Sequence, residues 1–149
     1  MTHRIPLGYW FPVILLCGLA VWAKLSCEWA VEPVDPAWSL LDTLRPDLRC
    51  NATWYSAPEH GRPTANGEIF DSTLLTCAIY GGFRKYAPYG SKLLVRNALN
   101  GKRVVVRVND AMPAKWAKQG KMIDLSRAAA ESLGTVAAGV FPVEAWRVE

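Results

Sequence analysis

Histidine and cysteine are both scarce, with two His and four Cys in 149 residues, and they do not gather at the spacing of a metal site. No metal is therefore expected, and no organic cofactor either, since no cofactor motif is visible. Charged residues make up only 20% of the chain against 51% hydrophobic, a balance too apolar for a disordered protein. A nucleic-acid-binding motif is also lacking. The length leaves room for one ordinary domain and an amino-terminal appendage.

The most pronounced absence is local. From Ile5 to Ala23 there is no charged residue, and the run approaches the roughly 20 apolar residues that span a bilayer as a helix. Arg4 precedes it, while Glu28, Glu32 and Asp35 follow, so the carboxy terminus is expected outside the cytoplasm. Residues 1–30 read as a signal peptide or signal anchor. The best cleavage match, Val21-Trp22-Ala23, is mediocre, and Lys24 within Lys24-Leu25-Ser26-Cys27 argues against lipidation. Residues 31–49 contain three prolines and four acidic groups without sustained periodicity, which reads as a linker. A folded domain is expected over 50–149, in the periplasm or cell envelope and exported or held to the membrane by the first segment.

In that domain 13 Lys and Arg stand against 8 Asp and Glu, leaving +5. Outside the cytoplasm such a surface suits an acidic polysaccharide better than nucleic acid. Cys50 and Cys77 sit in this part, and an oxidising compartment permits a bridge between them as readily as two buried thiols.

Strand and turn signals dominate after Cys50. Lys92–Arg96 and Arg103–Asn109 are rich in Val and Leu, and Asn100-Gly101 between them suits a tight hairpin turn. Strict alternation puts Val104, Val106 and Val108 on one side, Arg103, Arg107 and Asn109 on the other, and Asp110 on the valine side at the strand end. Ser126 is placed to cap a helix over Arg127–Leu133, with Gly134 as its left-handed end. Strands are also expected at Thr53–Tyr55 and Val143–Val148, a pattern consistent with a small barrel.

Several segments, in order, resemble the RlpA family of bacterial cell-wall proteins. They are ATWYS (52–56), HGRPTANGEIFD (60–71), LLTCA (74–78), APYGS (87–91), Val95 through NGKRVVVRVND to Asp110, MIDLSRAAAESLG (122–134) and GVFPVEAWRVE. The resemblance implies a mainly β fold: a six-stranded double-psi β-barrel, RlpA- and expansin-like, with one or two short helices, preceded by the membrane-directed helix. It also implies lytic transglycosylation of peptidoglycan glycan strands by an Asp and a His. The Asp falls on Asp110; the His position is occupied by Ile79, which cannot transfer a proton, and Ala111 replaces the family's Arg.

One carboxyl suffices in principle for this chemistry, donating a proton to the leaving oxygen and then accepting one from the muramic hydroxyl that closes the anhydro ring. Trp54, Tyr55 and Tyr89 are candidates to contact sugar faces, and Arg62 and Asn66 to bind hydroxyls or stem-peptide carboxylates. Trp54 also suits a place in the barrel interior, since aromatic residues in small β-domains bury more often than they bind. Glu68 reads as a solvated loop residue, and Asp124 as a carboxylate favouring the entrance of the following helix. The expected partner is the peptidoglycan glycan strand, with cell-envelope proteins as further candidates. Ile79 keeps open an expansin-like alternative, a module that grips glycan without cutting it.

Overall fold

The computed structural model describes Leu40 and residues 43–148. The expected signal segment at 1–30 and most of the expected linker lie outside the described residues. No helix among the described residues is long and apolar enough to cross a membrane. In the unit preceding the barrel, the N–H and hydroxyl of Thr43 donate to the Leu40 carbonyl. The chain from Arg45 onward forms a separate compact unit.

This second unit is built from six strands: β1 (Leu48–Tyr55), β2 (Thr76–Tyr80), β3 (Lys92–Asn97), β4 (Arg103–Met112), β5 (Lys121–Ser126) and β6 (Phe141–Arg147). Two short helices, α1 (Ala114–Ala117) and α2 (Arg127–Ser132), follow β4 and β5. The strands close in the order β1-β5-β2-β4-β3-β6. Two contacts are parallel, β1 with β5 and β2 with β4; the other four are antiparallel. This is the six-stranded double-psi barrel the sequence implied. Closure leaves no free sheet edge to pair with another chain. β1 begins at Leu48, inside the segment expected to be linker, because Leu48 and Arg49 pair with Ala145 and Glu144 of β6.

Period-two patterning fills the interior. Ala52, Cys77, Ile79, Leu93, Val95, Val104, Val106, Val108, Ile123, Leu125, Phe141, Val143 and Ala145 form one buried cluster. Removing their apolar surface from water supplies the main folding force, at roughly 25 cal/mol per Å². The β3–β4 hairpin turns at Gly101, whose φ of 73° is a left-handed conformation that glycine adopts without steric cost. Ser126 caps α2, its Oγ accepting the Ala129 N–H at 3.3 Å, and Gly134 follows with φ 66°.

Alternation fails at one place that matters. The register of β2 on β4 runs from Cys77↔Val108 to Ala78↔Asp110, so Asn109 is an extra residue on β4 and the pleat changes phase there. The sequence expectation that Asp110 shares the valine side is thereby corrected. Asn109 is 2% exposed, whereas Asp110 lies half-buried beside Ala78, on the opposite face from the core residues Cys77 and Ile79. The bulge re-aims the carboxylate outward.

Candidate active site

Ala78 pairs with Asp110 on one neighbouring strand and with Asp124 on the other. Laterally paired residues of a sheet share a face, so the two carboxylates flank a small residue, separated by two strand spacings or roughly 10 Å between backbones. Thr53 of β1 pairs with Asp124 and extends the row. The outer face of the barrel therefore carries Asp110, Ala78, Asp124 and Thr53 side by side across four strands.

Asp110 is held by three donors. Its Oδ1 accepts the N–H groups of Ala65 and Ala111, each at 2.8 Å, and its Oδ2 faces the Tyr55 hydroxyl at 3.4 Å. Burial, reinforced by the charge of Asp110, pushes the Tyr55 phenol up, so it remains a neutral donor. Asp124 accepts the Thr53 hydroxyl at 2.7 Å. Its pKa is nevertheless raised, first by burial and then by the negative charges of Glu59 and Asp110, against the lowering effects of Thr53 and Lys121. One partly desolvated carboxyl thus stands beside one held in place by donors.

The Ala65 donor comes from a loop that is itself clamped to β4. Glu68 meets Arg107 through two parallel bonds, Nη1 to Oε1 at 2.5 Å and Nη2 to Oε2 at 2.8 Å, the fork geometry that makes arginine–carboxylate pairs specific. Asn66 Nδ2 donates to Glu68 Oε1 at 2.9 Å, and its Oδ1 accepts the Thr64 hydroxyl at 2.7 Å. The Asn66 N–H reaches back to the Asn109 carbonyl at 3.2 Å. The Arg107 bonds, with those from Asn66, hold the Glu68 carboxyl down to about 2. Glu68 is therefore an ion-paired brace as well as the partly solvated loop residue expected from the sequence.

The remaining sugar-binding candidates are scattered. The Tyr55 ring stacks on Phe70 with centroids 4.2 Å apart, so one face is occupied and the hydroxyl serves Asp110. Trp54 is half-buried against the core, and its indole N–H donates to the Val136 carbonyl at 3.2 Å. Tyr89 accepts a bond from Arg84 Nη1 at 2.5 Å and borders a separate cavity with Gly81, Arg84, Lys85 and Pro88. Arg62 is exposed. Asn66 is committed to the loop network.

Ile79 is fully buried in the core cluster, so its side chain does not face the Asp110 row. Cys50 and Cys77 are free thiols, and burial pushes Cys50 up to about 11 and Cys77 higher still. Among the described residues no group of three or more His, Cys, Asp or Glu is arranged for a metal. The sequence offers Asp124 only as a carboxylate at the helix entrance, and it gives Trp116 no role. Asp124 was nonetheless legible, because Ile123 and Leu125 face inward and period two sends the residue between them out.

Similarity to solved structures places the fold first. The barrel superposes on an apo expansin from Clavibacter michiganensis with a TM-score of 0.54 and 24% identity, covering 68% of this chain and 50% of that one; this is a likeness of fold alone. The family model described as lytic transglycolase matches residues 48–145, which takes in β1 to β5 whole and most of β6. The chain belongs to this lytic transglycolase family, and within it is similar to RlpA proteins. A probable endolytic peptidoglycan transglycosylase RlpA from Aquifex aeolicus is 40% identical over 98 residues, 66% of this chain and 40% of that protein. The endolytic peptidoglycan transglycosylase RlpA of Vibrio cholerae is 46% identical over 88 residues, 59% of this chain and 30% of that protein. The chain thus spans well under half the length of these curated relatives.

Proposed function

We propose that this barrel is a peptidoglycan lytic transglycosylase of RlpA type, cleaving glycan strands without water and leaving anhydro-muramic ends. The observation that carries the reading is the Asp110–Ala78–Asp124 row, two carboxyl groups across a small residue on an outer face. The match of the family model over nearly the whole barrel supports it.

The chemistry asks for one proton given and one taken. Asp124, whose burial and acidic neighbours favour the protonated form, donates to the bridging glycosidic oxygen as the bond from that oxygen to muramyl C1 breaks. Asp110 takes the proton of the muramyl C6 hydroxyl as that oxygen bonds to C1 and closes the ring. A proton then passes back from Asp110 to Asp124 through solvent. This extends the one-carboxylate scheme drawn from the sequence, and the substrate hydroxyl fills the role that water plays between the paired carboxylates of a hydrolase. No imidazole is required at position 79.

Release of anhydro-muropeptides from purified glycan strands tests this reading. The expansin-like alternative is favoured instead if strands bind and no anhydro product forms. The export of the barrel is part of the same proposal, and it rests on the uncharged run from Ile5 to Ala23.

A further inference from the structure

The connection from β4 to β5 carries a second feature on the same outer face. Between Asp110 and Asp124 the chain holds Lys115, Lys118 and Lys121 and no acidic residue. Trp116 lies half-buried in α1, and two of these lysines sit against its ring, Lys115 Nζ at 5.0 Å and Lys121 Nζ at 4.8 Å from the centroid. Neither ammonium forms an ion pair among the described residues. The far end of the connection is pinned to β1, since the Asn51 N–H donates to the Gly120 carbonyl at 2.9 Å.

Beneath this aromatic lies a cavity of about 220 Å³ bounded by Thr53, Trp54, Met112, Trp116, Lys121 and Asp124. It is smaller than the roughly 300–1,000 Å³ of a drug-sized site, which suits one sugar unit better than a long ligand. It opens beside the row itself: Asp124 lines it, and Met112 stands two residues beyond Asp110. An indole offers an apolar face to the C–H side of a pyranose. Lys121 lines the cavity and Lys115 lies 5.0 Å from the same indole, so both bring positive charge to a ligand seated against that ring, and a carboxylate on the ligand gains from it. Neutral sugar uses only the first feature; a sugar with a carboxylate arm uses both.

Resting on the transglycosylase reading, we propose that this cavity is the muramyl subsite: Trp116 packs on the sugar ring while Lys115 and Lys121 receive a carboxylate borne on its lactyl side chain. The carboxylate is either the free lactyl group or one carried by the attached stem peptide. A neutral N-acetylglucosamine unit has no such arm, so the two lysines set the register in which Asp124 and Asp110 meet the strand.

The test uses the full-length chain in detergent, with Asp110→Asn in every protein to prevent turnover, and compares binding of three probes by calorimetry. They are peptide-bearing glycan strands, strands stripped of their peptides, and chitohexaose. Lys115→Gln combined with Lys121→Gln is expected to weaken a muramyl probe at least fivefold and flatten its salt dependence, while leaving chitohexaose within twofold. Loss confined to stripped strands assigns the free lactyl carboxylate; loss confined to peptide-bearing strands assigns the stem peptide. Trp116→Ala is expected to weaken all three probes about tenfold, with Trp116→Phe retaining most of the binding and controlling for folding. Equal losses on chitohexaose and muramyl probes, or no loss from the lysine pair, overturn the subsite while the transglycosylase reading stands. Failure of the parent to bind any strand overturns both.

Discussion

Ala65 and Asp110 are 45 residues apart in sequence, yet the backbone N–H of one donates to the carboxylate of the other at 2.8 Å. The bond ties the chemistry of a barrel strand to the conformation of a surface loop. Ala65 itself is exposed, so the loop holds its place through its neighbours: Thr64 bonds the Glu68 carbonyl, Asn66 bonds Asn109, and Glu68 grips Arg107. A bulge aims Asp110 outward, and the braced loop fixes its rotation. Placement within about half an ångström is what productive geometry demands.

The brace should be sensitive to acid. The Glu68 carboxyl is held at about 2 against an ordinary 4.5, so its contribution to stability is fully present above pH 4.5 and is lost as the pH falls toward 2. Both partners are more than a third exposed on their side chains, and solvent screening reduces the worth of the pair to about 1 kcal/mol. Glu68→Gln is expected to lower stability by that amount at pH 7, with the difference from the parent closing by pH 2. Urea melts across that range measure it, and a gap that is constant with pH contradicts the assignment.

Asp124→Asn should separate stability from activity. A carboxyl whose folded pKa is raised destabilises the fold at pH values above that pKa, and the penalty shrinks as the pH falls below it and is gone below the unfolded value. The amide has no charge to desolvate, and its oxygen still accepts the Thr53 hydroxyl. A higher melting temperature at pH 7 is therefore expected together with a loss of cleavage, the trade-off common at functional carboxylates. A less stable variant, or one that cleaves like the parent, removes Asp124 from the scheme.

The barrel was legible because its signals are local: the Asn100-Gly101 turn, the Ser126 cap and the valine alternation of β4 each form where the sequence places them. Strands β2 and β5 carried weaker patterns, since TCAIY is buried along nearly its whole length and gives no alternation to read. The family motif identifies Asp110, but its orientation departs from the alternation of VRVND, because nothing in that run announces a bulge that depends on β2 pairing. The Glu68–Arg107 pair and the clustering of lysines on Trp116 are products of the fold, joining positions that local sequence keeps apart.

Ile79→His tests what the family position means in this chain. Ile79 is fully buried among Cys77, Ile123 and other apolar side chains, so an imidazole there loses its hydration without an evident partner. The expected cost is about 2 kcal/mol or more, seen as a lower melting temperature, with no gain in cleavage rate. A faster variant indicates instead that the ring swings into the Asp110 row.

Export is open to a direct measurement. The asymmetry of Arg4 before the uncharged run and acidic residues after it predicts an outward orientation, and on that proposal a reporter fused after Arg49 should be active outside the cytoplasm. Activity confined to the cytoplasm refutes the orientation.

Asp110→Asn is the sharpest test of the chemistry. The amide keeps the size of the side chain, and its oxygen can still accept from Ala65 and Ala111, whose N–H groups converge on Oδ1. Its nitrogen then faces the Tyr55 hydroxyl oxygen, to which it can donate in place of accepting. The loop and strand should consequently stay as they are, with a melting temperature close to that of the parent. What the amide cannot do is take the proton of the muramyl hydroxyl, and loss of such a group costs about 10²- to 10⁴-fold in rate. Anhydro-product formation should fall by that factor while strand pull-down is retained. A variant that cleaves as fast as the parent shows that Asp110 is not the base.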